Sequence, residues 1–345
     1  MKKHLMTAVA LAPLMTLTCG AQAQSNVQIL GTVDTYVGSM RMAGDAGRTS
    51  TVGSGGLTTS WFGFKGSEDL GDGLKANFAL TSFFQGNSGV QGRFPGDTFF
   101  SRDANVGLSG GFGAVNLGRG LAPNFLPTVI FNPFGDSFTF SPLVLHANVP
   151  LFNGTNWAAT IPADTGWSNE IIYSTPNLGG LSANAHYQFS GLSTSTGNSG
   201  KKNAGLNVLY FGGPLALTAF YERAQLNNPV VTLFTPADTK TDWMLGGSYD
   251  AKVVKGFLTY GQAKSDVTAK RKTATLGATV PVGAGNILAS YANTKVDNGN
   301  RRTTTSVGYD YNLSKRTDLY AIAMNDRITS FSSGNSFGVG IRHKF

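Results

Sequence analysis

Hydrolytic chemistry needs a base beside a nucleophile, or a pair of carboxylates, and this sequence has few candidates for either. After residue 23 the histidines are His146, His186 and His343. His146 has no acidic neighbour in sequence, and the serines Ser182 and Ser190 on the same strand face as His186 are simply polar. There is no HExxH motif and no metal-spaced cluster. The sequence therefore predicts no catalytic residue, no metal site and no cofactor, and a protein that is not an enzyme.

The charges of the chain are spread out rather than concentrated. The formal net charge is +8, which falls to +6 if the two lysines of the first segment are removed. Basic residues form only short clusters, such as those at 201–202, 270–272 and 301–302. Such clusters are typical of solvated loop ends, or of a surface that attracts anions. Without a longer basic run they do not indicate nucleic-acid binding.

The N-terminus has the three parts of an export signal. Two lysines precede an apolar run at 5–18, and small residues at 21–23 form a cleavage site. The run is shorter than the ~20 residues that a membrane helix needs. We therefore predict that residues 1–23 are a signal peptide and that the mature chain begins at Gln24. The single cysteine, Cys19, lies in this segment, so the mature chain is predicted to have no disulfide.

The C-terminal segment alternates in character. Phe337, Val339, Ile341, His343 and Phe345 fall on one side of an extended strand, and small or charged residues fall on the other. An apolar face beside a polar face is typical of a strand with lipid on one side and water on the other. The segment therefore indicates a membrane β-barrel.

Similar segments recur along the chain between turn signals. Their even number, with short turns on one side and longer loops on the other, predicts an all-β protein: one 16-stranded antiparallel transmembrane β-barrel over residues 24–345. A barrel of this size encloses water. Its first and last strands should pair, because a sheet edge cannot remain open in lipid. The predicted strands are 27–40, 57–67, 74–85, 97–109, 113–120, 168–175, 181–191, 202–212, 214–225, 240–250, 255–265, 271–281, 286–297, 302–312, 316–329 and 335–345.

A long irregular segment, 120–167, interrupts the pattern. Six prolines in this segment exclude a continuous central strand. A loop of this length is uncommon unless it is functional. The segment is therefore the first candidate for a functional element.

Seven stretches match one family from the first strand to the last, in the family's order. The chain resembles the general porins of Gram-negative bacteria, specifically the betaproteobacterial and neisserial type. The matching stretches are ILGTVDTYV (29–37), FGFKGSEDLGDGLKANF (62–78), VGLSGGFGAVNLGR (106–119), NPFGD (132–136), IIYSTPNLGG (171–180), YNLSKRTDLYA (311–321) and VGIRHKF (339–345).

The resemblance implies a homotrimer of barrels in the outer membrane of a Gram-negative bacterium, surrounded by lipid and lipopolysaccharide. The third loop, matched by 120–167, would fold into the lumen and form a constriction. Ions and small hydrophilic solutes would diffuse through passively. The terminal Phe345 resembles the signal that the barrel-assembly machinery recognises.

The resemblance also suggests pore residues. Arg102 and Arg119 stand where the family has arginines, whereas Trp61 and Ile172 replace positions that are commonly basic. The lining should therefore be less basic than in relatives, which argues against strong anion selectivity. The alternation of side chains along the predicted strand would by itself turn Arg102 outward, away from the lumen.

Further lining residues follow from alternation along the predicted strands. Each of them could instead be an exposed rim or turn charge. Asp136 lines the constriction or pins its own turn. The residues that alternation directs into the lumen are Lys65, Lys75, Glu170, His186, Glu222, Arg271, Arg302, Arg342 and Lys344.

Two alternative functions stay open. If Trp61 faces the lumen, as its alternation with Phe62 and Phe64 predicts, its indole would be a stacking surface in a channel selective for aromatic or sugar solutes. A surface adhesin or receptor barrel would instead use the loops near 41–56, 86–97, 226–239 and 330–334.

Overall fold

The fold is dominated by one antiparallel sheet. The computed structural model describes residues 26–93, 97–147, 165–189, 202–225, 239–265, 269–297 and 299–345, so the predicted signal peptide lies outside the described residues. Two short helices, α1 (Phe125–Ile130) and α2 (Pro142–Ala147), lie between the sixth and seventh strands. The strands are β1 (Asn26–Met40), β2 (Thr49–Ser54), β3 (Trp61–Gly71), β4 (Leu74–Phe83), β5 (Asp103–Gly110), β6 (Gly113–Leu121), β7 (Gly166–Ser174), β8 (Leu181–Gln188), β9 (Asn203–Gly212), β10 (Leu215–Gln225), β11 (Thr239–Asp250), β12 (Lys255–Ser265), β13 (Arg271–Val282), β14 (Gly285–Val296), β15 (Arg301–Asn312), β16 (Thr317–Ile328) and β17 (Gly334–Lys344).

The sheet closes into a barrel. From β3 to β17 each strand pairs antiparallel with the next, and β17 pairs with β1 in a register that sets Thr32 opposite Lys344 and Val37 opposite Val339. Closure leaves no free edge, which is what a sheet in hydrocarbon requires. The predicted 16-stranded antiparallel barrel is confirmed.

The second barrel strand is split, which corrects its predicted start at residue 57. Both β2 and β3 pair with the same edge of β1: Ser54 lies opposite Thr35, and Trp61 lies opposite Thr32. Residues 55–60 therefore leave the sheet between the two pieces. We name this segment the inward turn, because its Leu57 side chain packs in a buried apolar cluster inside the barrel.

The two faces of the wall differ as alternation predicts. On β17, Phe337 and Val339 are 50% and 48% exposed, whereas Ser336 is 3% exposed. On β1, Val33 and Val37 point outward in the same way. The outer surface is therefore apolar, as a lipid-facing wall must be.

The interior contains the segment between β6 and β7. Its described part, residues 122–147, is named the lumen loop here. It contains both helices, and Pro142 is the first residue of α2, a position where the missing amide proton costs nothing. Phe134, Phe140 and Leu145 from the loop pack with wall residues of β1, β14 and β16. No helix among the described residues is both long and apolar enough to cross a membrane.

Candidate functional site

The first half of the lumen loop is bonded to the wall by two asparagines. The side-chain amide of Asn124 donates to Glu222 Oε1 at 3.0 Å, and that of Asn207 donates to the loop carbonyl preceding Asn124 at 3.0 Å. Glu222 also pairs with Lys240, at 2.8 Å between Oε1 and Nζ. These groups are buried, so the contacts are shielded from solvent. They hold the start of the loop against β9 to β11.

The second half is held by two arginines of the wall, which we name the arginine pair. Arg302 donates from Nη1 to the carbonyl of Leu145 at 3.0 Å, and its Nε contacts Asp326 Oδ1 at 2.9 Å. Arg271 donates from Nη2 to the carbonyl of Ala147 at 3.0 Å. Both arginines point inward, but the loop covers them, and Arg302 is only 1% exposed. Their contacts are those of loop anchors.

Between these two carbonyls lies His146, buried against the wall. Its Nδ1 and Nε2 each lie 2.7 Å from a threonine hydroxyl, those of Thr294 and Thr304 respectively. Burial lowers the pKa of His146 well below its ordinary value, and the positive charges of Arg302 and Arg271 lower this pKa further. The docked loop therefore holds the imidazole in its neutral form.

Loop docking should weaken in acid. An undocked histidine binds a proton near pH 6.5, whereas docked His146 does not, so the stabilisation is complete above about 6.5 and is lost as the pH falls below it. We expect current fluctuations of single channels to increase below this pH. His146→Gln keeps hydrogen-bonding atoms without titrating, so the additional acid-induced fluctuations should disappear. Identical pH profiles for the two proteins would contradict the prediction.

A cation and an aromatic ring lie together on another part of the wall. The guanidinium carbon of Arg102 is 4.0 Å from the ring centroid of Trp61, and its Nη1 is 3.4 Å from Asp103 Oδ2. Arg102 directly precedes β5, which begins at Asp103 and not at the predicted residue 97. The alternation of side chains along a strand therefore does not fix the direction of the Arg102 side chain. Trp61 shares its strand face with Lys65, which borders the lumen.

Lys65 has an exposed charge in this region. Its side chain is 45% exposed, and its Nζ is 4.0 Å from Asp103 Oδ2. It borders two cavities, of about 240 and about 340 Å³, together with Asn105 and Asn116. Amides, one lysine and the Asp103 carboxylate thus border the space that an ion would meet inside the barrel.

The lumen loop turns between its two helices, and we name residues 131–141 its tip. Asp136 lies in this tip and is half-buried. Burial raises the pKa of its carboxyl to about 6, while a hydrogen bond with Thr58 and the charges of Arg102 and Arg342 act in the opposite direction. Asp136 is therefore a loop acid whose charge changes near neutral pH.

Asp136 gives the channel a second pH dependence. A carboxylate with a raised pKa is charged above that pKa and neutral below it, so Asp136 loses its negative charge as the pH falls through about 6. We expect anion preference to rise over this range, because the lining then has one negative charge less. Reversal potentials in asymmetric salt would measure the rise, and Asp136→Asn should show at every pH the anion preference that wild type reaches in acid. A reversal potential of Asp136→Asn that still follows wild type through this range would show that Asp136 is not responsible.

Arg119 and Glu170 lie deeper in the wall. Arg119 donates from Nε to the carbonyl of Ser101 at 2.8 Å and from Nη1 to Ser168 Oγ at 2.9 Å. Glu170 Oε2 is 3.2 Å from Nδ1 of His186, on the neighbouring strand. Both charged groups are buried and have partners, and His186 borders the cavity of about 240 Å³.

The last two predicted residues lie at the strand ends. Lys75 lies opposite Asp69 in the pairing of β3 with β4, beside a short turn, and is exposed. Phe345 exchanges two backbone hydrogen bonds of 3.1 Å with Gly31, which continues the seam between the first and last strands. Its role as an assembly signal stays a prediction.

Sequence reasoning missed most of the partners of these charges. Alternation turns Thr294, Thr304 and Asp326 inward, but which of them meet depends on register and on where the loop lies. The described residues contain no group of three or more histidines, cysteines or carboxylates that could hold a metal ion. The spacing Gly-x-Ser-x-Gly occurs at 107–111 and 334–338, where it lies along or at the end of a strand and not at the strand-to-helix turn of a hydrolase.

Comparison with known proteins is consistent with the geometry. Residues 7–329 match the Gram-negative porin family. Outer membrane porin protein 32 of Delftia acidovorans is 36% identical over 332 residues, which cover 93% of this chain and 88% of that protein. An outer membrane porin protein of Bordetella pertussis is 29% identical over 411 residues and is covered completely, as is this chain.

A solved structure shows the same architecture. The anion-selective porin from Comamonas acidovorans superposes with a TM-score of 0.75 at 27% identity, covering 93% of this chain and all of that one. The resemblance seen in the sequence, to betaproteobacterial and neisserial porins, is confirmed. The chain therefore belongs to the Gram-negative porin family, and it is an outer-membrane β-barrel that encloses a water-filled channel.

Proposed function

We propose that the lumen loop is the constriction of this channel, and that ions and small hydrophilic solutes diffuse past it with a modest preference for anions. The observation that carries this proposal is the docking of residues 122–147 against the inner wall, beside a polar cavity bordered by Lys65. A loop in this position narrows the path, and an exposed charge beside it sorts solutes by sign.

The sign of the ion preference is inferred from the contacts of the acidic residues near the cavity. Asp103 is contacted by Arg102 and by the hydroxyl of Thr81 at 2.7 Å, and Glu170 is contacted by His186. Both acids are held by donors, and the Lys65 side chain, whose Nζ lies 4.0 Å from Asp103 Oδ2, is 45% exposed. The similar porin from Comamonas acidovorans is anion-selective, which supports the same sign. Among the described residues, Lys65 is the one lysine or arginine that borders the two cavities, which points to a modest preference.

Planar-bilayer recording in asymmetric potassium chloride tests this function. We expect stepwise conductance and a reversal potential whose sign indicates a higher permeability for chloride than for potassium. A reversal potential of the opposite sign would contradict the anion preference. Electrically silent bilayers, with barrels shown to be folded by circular dichroism, would contradict the channel itself.

We further infer that the protein is a homotrimer, catalyses no reaction, and is inserted by the barrel-assembly machinery into lipid and lipopolysaccharide. The apolar outer faces of β1 and β17 support membrane burial and contacts between barrels. Conductance steps in groups of three per insertion would support the trimer. If a chain shortened to end at Lys344 no longer inserted into the membrane, this would support the role of Phe345 as an assembly signal.

The other functions considered from the sequence stay predictions. One face of the Trp61 indole is already covered by Arg102, so a solute would have to use the opposite face or the guanidinium. Part of the loop region expected for an adhesin, 226–238, lies outside the described residues.

A further inference from the structure

The inward turn, residues 55–60, is closed by the backbone of a single residue of β1. The carbonyl of Asp34 accepts a hydrogen bond from the amide of Gly55 at 2.9 Å and another from Ser60 Oγ at 3.1 Å. The amide of Asp34 donates to the same Ser60 hydroxyl at 3.0 Å. Gly55 has a φ of 78°, a left-handed conformation that favours glycine. The two ends of the turn are thus fixed at one point of the wall.

The Asp34 side chain fixes the middle of the turn. Its carboxylate accepts hydrogen bonds from the backbone amides of Gly56, Leu57 and Thr58, at 3.0, 2.8 and 2.8 Å, and from the hydroxyl of Tyr320. Asp34 is 0% exposed. Successive amides that converge on one anion form a concave site of the kind known to bind anions, and here the anion belongs to the chain itself. Removing its charge would leave these buried donors without a matched acceptor.

The inward turn also contacts the tip of the lumen loop. Ser137 Oγ donates to the carbonyl of Gly56 at 2.6 Å, and Thr139 Oγ1 donates to the carbonyl of Gly55 at 2.9 Å. Leu57 packs with two phenylalanines of the loop in one buried apolar cluster. The tip therefore rests on backbone groups whose positions are set by Asp34.

We propose that Asp34 is a positioning residue for the constriction: by holding the inward turn, it fixes where the tip of the lumen loop lies and therefore how wide the channel is. The channel is then bounded by two infolded segments, one from the second barrel strand and one from the long loop. This inference rests on the proposed role of the lumen loop as the constriction.

Asp34→Asn tests the proposal with an almost unchanged side-chain shape. An asparagine places an NH₂ group where a carboxylate oxygen accepted backbone amides, so the turn should loosen and release the tip. We expect higher single-channel conductance, and entry of larger sugars in liposome-swelling assays. Asp69→Asn is the matched control, because that exposed carboxylate also accepts one backbone amide, from Gly71 at 3.0 Å. Its conductance should equal that of wild type.

A second variant keeps the proposal testable if Asp34→Asn does not fold. Ser137→Ala combined with Thr139→Val removes the two hydrogen bonds from the tip to the carbonyls of Gly56 and Gly55 without changing a residue of the barrel wall. It should raise conductance as Asp34→Asn does, and the two changes together should give no further increase, because they act through one link. Wild-type conductance in the folded Ser137/Thr139 variant, or in folded Asp34→Asn, would overturn the positioning role. If these variants had wild-type conductance while that of Arg302→Met was raised, the positioning role of Asp34 would be wrong. The proposal that the lumen loop is the constriction would still stand.

Discussion

Replacing Arg302 by methionine should release the second half of the lumen loop and raise the conductance of the channel. Arg302 contacts both the Leu145 carbonyl and Asp326, and the Asp326 carboxylate is also buried. Methionine fills similar space without donating a hydrogen bond. Leaving one charge of a buried ion pair without its partner costs about 3–5 kcal/mol. Single-channel conductance and the thermal unfolding midpoint should therefore both change, the first upward and the second downward.

Arg301→Met is the matched control for this experiment. Arg301 is the next residue on the same strand and is exposed, so the same substitution removes a charge but no loop contact. Its conductance and unfolding midpoint should stay close to those of wild type. If Arg302→Met formed channels of wild-type conductance, the arginine pair would not be anchoring the loop in the conducting path.

Charge reversal at Lys65 should have the largest effect on ion selectivity. Two unit charges 4 Å apart interact by about 1 kcal/mol in water, and by more near a protein surface. Lys65→Glu changes the charge that a passing ion meets by two units. We therefore expect the ratio of chloride to potassium permeability to fall by on the order of tenfold. The reversal potential in asymmetric potassium chloride measures this ratio directly.

Lys75→Glu is the control for Lys65→Glu. Lys75 lies on the same face of the same hairpin, but at its exposed end beside the short turn. An exposed charge there is screened by salt, so its reversal should change selectivity little. Raising the ionic strength should also reduce the effect of Lys65→Glu. Equal shifts in the two variants would show that Lys65 has no special place in the conducting path.

The barrel could be predicted from the sequence because its cause is local. Side chains alternate between two solvents with a period of two, so Val33, Val37, Phe337 and Val339 mark an outer face without any knowledge of their neighbours. The closing of β1 on β17 follows from the same physics, since lipid does not satisfy an open sheet edge. The bounds of most strands therefore came within a few residues of those in the structure.

The contents of the lumen could not be predicted in the same way. Arg302 was expected to face water, and only the position of the loop shows that it donates to Leu145. The split of the second strand depends on Asp34, whose carboxylate meets amides more than twenty residues away. These are contacts between segments that are distant in sequence, so no periodic pattern encodes them. Alternation predicts a direction, and only register and loop position decide a partner.

The most direct test of the central claim, that the lumen loop lies in the conducting path, is to attach a bulky charged group to its tip. The only natural cysteine, Cys19, lies in the predicted signal peptide, so Asp136→Cys would give a single thiol in the mature chain. Addition of a negatively charged thiol reagent during bilayer recording should reduce the current through open channels, while Glu68→Cys, exposed beside the short turn, should be unaffected. An unchanged current through Asp136→Cys, after mass spectrometry has shown complete labelling, would contradict the account.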